Sequence, residues 1–260
     1  MELKNLKNKL QDIVNESSGQ ISLAFSSNEG DILINEHLKM KAASVIKLPI
    51  LIESFRLAEE KKLDLNKAIH IENQKKVAGT GVIYYMTESN VYSYRNLLEL
   101  MMIVSDNTAS NIALKTVGMD RVNQLSVILN CQNTKIERNF MDTEAIANGF
   151  ENSTTAFDML QYLKLVGEPN KIINNESRQE MLSILSKQQF NQKLPGYNYS
   201  DSGVSFYNKT GELPGFEHDI SLIKKNDKTV YVAVLSNGWT DNFSGKKKLA
   251  EIGKEIINYM

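Results

Sequence analysis

Ser44-Val45-Ile46-Lys47-Leu48-Pro49-Ile50-Leu51 opens with a serine and a lysine three positions apart and runs on as an apolar pattern. Ile46, Ile50, Leu51, Phe55 and Ala58 recur at three- and four-residue spacing, which predicts a long helix starting at Ser44. Pro49 falls near its beginning, where a missing amide hydrogen does least harm. On such a helix Lys47 stands one turn beyond Ser44, and its amine can reach the serine hydroxyl. Ser-x-x-Lys alone carries little weight, because Ser221/Lys224 and Ser244/Lys247 repeat it.

Two rarer strings follow in order, Ser105-Asp106-Asn107 and Lys209-Thr210-Gly211. Each is expected by chance about 0.1 times or less in a chain of this composition. The ordered trio resembles the class A β-lactamase and penicillin-binding-protein group of serine hydrolases, whose signature it matches. The separations from Ser44 to Ser105 and from Ser105 to Lys209 are close to the class A pattern. Lys209-Thr210-Gly211-Glu212-Leu213-Pro214-Gly215-Phe216-Glu217-His218-Asp219 also resembles stretches in class A-like hydrolases of unassigned substrate.

The resemblance implies a serine acyl transfer with lysine as base, and the residue types suit it. Ser44 at a helix N-terminus gains an amide and a dipole that favour a developing oxyanion. Lys47, buried beside the second cation Lys209, has the environment that depresses a lysine pKa. Ser105 is the second hydroxyl, relaying a proton between the lysines and the leaving group. Asn107 orients Lys47 and a substrate amide carbonyl. Ser-Asp-Asn before an apolar helix is also good capping chemistry, and both roles fit together. Lys209 supplies positive charge, Thr210 a donor to a substrate carboxylate, and Gly211 a close backbone approach. The Glu212 amide would be the second oxyanion donor beside that of Ser44. The plain alternatives are a capping serine with a solvated lysine, and a strand-end turn.

Two features depart from the class A pattern. Its members carry a deacylating glutamate in the loop after Ser-Asp-Asn, and counting places that position at Met141, Phe140 or Asn139, none acidic. Asp142 and Glu144 are the nearest carboxylates, so Asp142 is the candidate deacylation base only if the loop is shifted. Class A enzymes also commonly use an arginine beyond Lys-Thr-Gly to hold the β-lactam carboxylate, whereas this chain has no arginine after Arg178. The reading is a hydrolase of β-lactam or related amide bonds, acting through a Ser44 acyl-enzyme with weak β-lactam turnover. A peptidase, amidase or esterase of the same fold on another substrate, or a non-catalytic binding protein, are the alternatives.

Composition bounds the rest. At 260 residues with 42% hydrophobic and 23% charged side chains, the chain has ample material for a buried core. A net charge of −1 gives no argument for nucleic acid or an anionic membrane, and Lys246-Lys247-Lys248 reads as a solvated helix face. Cys131, alone, excludes an internal disulfide and makes a thiolate cluster implausible. His37, His70 and His218 are too scattered for a metal site or a histidine triad, and His218 reads as a structural hydrogen-bonder. No metal, no cofactor and a small-molecule or peptide-like acyl substrate are therefore expected, with a monomer as the expected state. Leu3, Leu6, Leu10 and Ile13 recur at helical spacing without the apolar run of a secretory signal. That places the chain in the cytoplasm as written, or outside the cell if a leader was trimmed.

Ile21–Phe25 and Asp31–Asn35 read as strands after the first helix, and Asp219–Lys224 and Thr229–Leu235 as strands near the other end. Helices are expected at Leu97–Val104, Thr108–Thr116, 155–166, 176–187 and Lys246–Tyr259. Strands at both ends with helices between predict an α/β (α+β) fold, with an antiparallel sheet flanked by helices and an inserted all-helical lobe. This is the β-lactamase/transpeptidase-like architecture that the resemblance implies. Residues 1–42 and 188–260 would make the α/β lobe and 43–187 the helical lobe, with the site between them.

Overall fold

A computed structural model describes residues 1–87, 90–199 and 202–260. The chain begins with α1 (Leu3–Asn15), β1 (Gln20–Ser27), β2 (Gly30–Ile34) and the two-residue β3 (Met40–Lys41). There follow α2 (Lys47–Glu59), β4 (Ala68–His70), β5 (Val91–Ser93), α3 (Tyr94–Ile103), α4 (Asn107–Val117) and α5 (Met119–Ile128). Next come α6 (Thr143–Ala147), β6 (Ser153–Thr154), α7 (Ala156–Gly167) and α8 (Asn175–Leu185). The chain closes with β7 (Ser205–Leu213), β8 (Phe216–Lys225), β9 (Lys228–Asn237) and α9 (Asn242–Tyr259).

Five strands form one antiparallel sheet in the order β2-β1-β9-β8-β7, so the two ends of the chain share it as expected. Leu23 lies opposite Val234 across β1 and β9, and Lys209 opposite Ile220 across β7 and β8. Side-chain alternation then sets two cores. Leu23, Phe25, Val230, Val232 and Val234 pack with Leu6 and Leu10 of α1 and Leu249, Ile252 and Ile256 of α9. Ala24, Ile220, Leu222, Ala233 and Leu235 point the other way, into the larger core built with the central helices. A sheet covered on both faces needs near-continuous apolar strands, which is why β9 reads Val-Tyr-Val-Ala-Val-Leu.

Helix α2 is buried from Lys47 through Phe55, and α7 lies against β1, β8 and β9. Asp106 caps α4 by accepting from the Ala109 amide, and Gly118 ends that helix. Several boundaries differ from expectation: α3 starts at Tyr94 rather than Leu97 and α9 at Asn242 rather than Lys246, and the difference that bears on the site is at Ser44. Ser44 sits in a 3₁₀ turn, Ala43–Ile46, and α2 proper starts only at Lys47. The pairs β3–β6 and β4–β5 were not expected, because two or three residues are too short to show a strand period. Strand β7 is the sheet edge, and its free side runs beside the Ser44 turn.

Candidate active site

Ser44 is half-buried at the mouth of a cleft of about 890 Å³ that Ser105, Thr210 and Glu212 also line. The residue before it, Ala43, has φ 45°, and Ser105 has φ 55°. Both non-glycine residues are held in the left-handed region, a local cost that the surrounding packing must hold in place. Gly211 makes the approach of β7 to the serine turn possible. A Cβ on it would lie 3.0 Å from the Ser44 nitrogen and 3.1 Å from that of Val45.

Two fully buried lysines meet on one hydroxyl. Lys47 Nζ lies 3.1 Å from Ser105 Oγ, and Lys209 Nζ lies 3.0 Å from the same atom. Lys47 Nζ also donates to the Ser105 carbonyl at 2.7 Å and to Asn107 Oδ1 at 3.0 Å. Lys209 Nζ donates to the Thr210 carbonyl at 2.6 Å. The hydrogen bonds of Lys47 thus go to Ser105 and Asn107, rather than to Ser44 as its spacing implied. Burial, then the charge of Lys209, holds the Lys47 pKa well below the usual lysine value, against the pull of Asp106. Burial and the charge of Lys193 bring Lys209 down to about 7, with Asp219 opposing. An amine brought near neutrality can exchange a proton with the hydroxyl between the two lysines.

The other members of the trio divide between site and scaffold. Asp106 is scaffold: beyond its cap, its Oδ2 accepts from the Val82 and Ile83 amides and ties the loop ahead of β5 to α4. Thr210 lines the cleft, but its hydroxyl donates to the His218 carbonyl at 3.1 Å, so a substrate carboxylate must compete for it. His218 is structural, as expected. Its Nδ1 accepts from the Ser236 amide, so its Nε2 donates to the Lys41 carbonyl, and burial brings its pKa down to about 4.

Asp142 is not brought to the lysine pair. It caps α6, with Oδ1 accepting from the Ala145 amide at 3.0 Å. The ring of Phe140 stands over Lys47 instead, with its centroid 4.7 Å from Nζ. Asn111 fixes Phe140 from both sides, since its Oδ1 accepts from the Phe140 amide at 2.8 Å and its Nδ2 donates to the carbonyl at 3.0 Å. The loop closes through the Arg138–Glu151 ion pair at 2.5 Å and through Asn152, which accepts from the Glu137 and Arg138 amides.

This arrangement of a strained serine turn, a shared hydroxyl between two buried lysines and an edge strand pressed on the serine sits on a fold with known counterparts. Residues 5–260 match the Beta-lactamase enzyme family. The chain belongs to that family. It is similar in structure to a β-lactamase from Sphaerobacter thermophilus, with a TM-score of 0.90, 23% identity, and coverage of 100% of this chain and 98% of that one. It is similar to PBP-A at TM-score 0.87 and 22% identity, over 99% and 96% of the two chains. A mutant of PBP-A captured as its acyl-enzyme complex with penicillin G matches at the same score and identity, over the same 99% and 96%. No curated protein matches the sequence.

Several residues of this family member's cleft escaped the sequence reading. Lys193 and Lys246 both line it, and Lys246 pairs with Glu212 at 2.9 Å rather than standing free on a solvated face. Neither they nor Asn111 sits in a motif, so no local signal marked them. Among the described residues no group of three or more His, Cys, Asp or Glu side chains is placed to hold a metal ion. Among them, too, no helix is long and apolar enough to cross a membrane.

Proposed function

We propose that the protein is a serine hydrolase acting on β-lactams or related amides through an acyl-enzyme on Ser44. The observation that carries this reading is Ser105 Oγ held at about 3 Å from two buried lysines beside the Ser44 turn. Ser44 attacks the carbonyl carbon, and its proton passes to the Lys47 amine. Ser105, between Lys47 and Lys209, returns a proton to the departing nitrogen as the amide bond breaks. The amides of Ser44 and Glu212 stabilise the tetrahedral oxyanion, and the Gly211 approach brings their backbones together.

Release is the slow half. The ring of Phe140, rather than a carboxylate, occupies the space above Lys47, and Asp142 is committed to its helix cap. Hydrolysis of the ester must then draw on Lys47 itself, and the acyl-enzyme accumulates. This favours weak β-lactam turnover over rapid resistance chemistry. Labelling with a fluorescent penicillin and a fluorophosphonate tests the assignment. Both probes are expected to label the wild type on the Ser44 peptide and to leave Ser44→Ala unlabelled. Label on Ser44→Ala, or none on the wild type, contradicts the reading.

A further inference from the structure

Lys193 directly precedes the 3₁₀ turn Leu194–Tyr197 and is 3% exposed. Its Nζ donates to the Gly211 carbonyl at 2.8 Å and to the His218 carbonyl at 3.1 Å, and it pairs with Glu217 Oε2 at 2.5 Å. Two backbone carbonyls and a carboxylate partner suit an ammonium, which donates and cannot accept. Burial pulls its pKa down, while Glu217 and Asp219 pull it back up.

One of those acceptors has a special partner. The Gly211 carbonyl belongs to the peptide unit whose N–H is that of Glu212. In a trans peptide the carbonyl and the N–H point to opposite sides. Gly211 lies opposite His218 in the β7–β8 register, and β7 is the edge strand. The carbonyl, which shares Lys193 with the carbonyl of His218, is therefore on the β8 side. The Glu212 N–H leaves on the free edge, toward the cleft that Glu212 lines.

We propose that Lys193 is a positioning residue that polarises the Gly211–Glu212 peptide and strengthens its N–H as an anion donor in the cleft. A cation hydrogen-bonded to a carbonyl draws electron density out of the amide, and linked hydrogen bonds reinforce one another in a low-dielectric site. The same contact fixes the peptide plane, so the donor is oriented before any substrate arrives. Lys193 acts through the backbone and does not touch the reacting atoms. Bonded to two backbone carbonyls and paired with Glu217, it is poorly placed to bind a substrate carboxylate directly. The catalytic half of the proposal rests on the Ser44 acyl-enzyme reading, whereas the polarisation itself does not.

Two measurements on the full-length protein separate these layers. In ¹⁵N NMR of the free protein, Lys193→Met is expected to move the Glu212 amide nitrogen upfield by more than the other β7 amides. In stopped-flow acylation, the variant is expected to lose about tenfold in rate, part of the 10²-fold or greater loss on deleting an oxyanion donor. The loss is expected with penicillin G and with a neutral activated ester alike. Because Lys193→Met leaves Glu217 buried without its partner, the double variant Lys193→Met/Glu217→Met provides a charge-balanced scaffold for the same readings. Lys193→Arg, which keeps the cation, is expected to recover part of the rate. An unmoved Glu212 resonance overturns the proposal, as does an unchanged rate. A loss confined to penicillin G makes Lys193 a carboxylate binder and also overturns it. If the wild type accepts neither donor, the acyl-enzyme reading fails, and the Glu212 shift still decides the polarisation.

Discussion

Lys47 and Lys209 share Ser105 Oγ, and the charge of Lys209 bears on the protonation of Lys47. Arginine at position 47 keeps the charge but does not deprotonate in a protein. Lys47→Arg is therefore expected to lose roughly 10²-fold or more in acylation rate, the scale of a lost general base. An arginine variant that acylates like wild type would place the base elsewhere. The charge of Lys209 is one of the causes that lower the Lys47 pKa. Removing it in Lys209→Met leaves burial as the main cause, so the Lys47 pKa rises and the acid limb of the acylation profile moves to higher pH. Rates from pH 5 to 9 check this; a limb that stays in place while the rate falls would assign Lys209 a purely positional role. At Asp142 the helix cap is the main function, and asparagine is an equally good cap. Asp142→Asn is expected to leave release of a penicillin adduct unchanged, and slower release in this variant would restore Asp142 as the deacylation base.

The elements explain why some of this was legible in the sequence. The serine, both lysines and Ser105 lie in short strings whose spacing along the chain resembles a known signature, and the structure gathers those strings in one cleft. The long periodic helices and the apolar strands were likewise readable, because their burial follows from local pattern. Lys193, Asn111 and Lys246 were not, because each acts through a backbone or charged group far away in sequence. The 3₁₀ turn at Ser44 was hidden too, since a helical period does not distinguish one turn type from the other. Two glycines give contrasting tests at this scale. Gly211→Ala would push a methyl group to 3.0 Å from the Ser44 nitrogen, so it is expected to cut acylation at a smaller cost to the urea midpoint than the next substitution. Gly253→Ala would place its methyl 2.0 Å from the Leu194 carbonyl oxygen, where α9 crosses the 3₁₀ turn. That is overpacking against backbone, expected to cost about 1–3 kcal/mol or more in stability. The reverse pattern would mean that β7 yields more easily than α9.

The whole molecule couples its site to its stability through buried charge. Lys209 titrates at about 7 in the fold against 10.5 ordinarily. Between those values the unfolded chain binds more protons, so stability rises with pH above 7. Asp219, raised from 3.8 to about 7 mainly by burial, binds more protons when folded and weakens the fold as pH rises through that window. His218, lowered from 6.5 to about 4 mainly by burial, acts in the opposite sense over much of the same range. The urea midpoint is expected to be nearly flat from pH 5 to 7 and to rise from pH 7 to 9; a fall over the upper interval would contradict charge burial of this kind. The edge strand β7 and helix α2 carry the two lysines into that burial, and the chemistry proposed for it is the Ser44 acyl-enzyme. Intact-mass spectrometry of the wild type, quenched at intervals after mixing with penicillin G, tests that claim most directly. The account predicts rapid, stoichiometric addition of one penicillin, mapped to the Ser44 peptide, followed by slow return of the unmodified mass. Failure to form an adduct, or an equal adduct on Ser44→Ala, would contradict it.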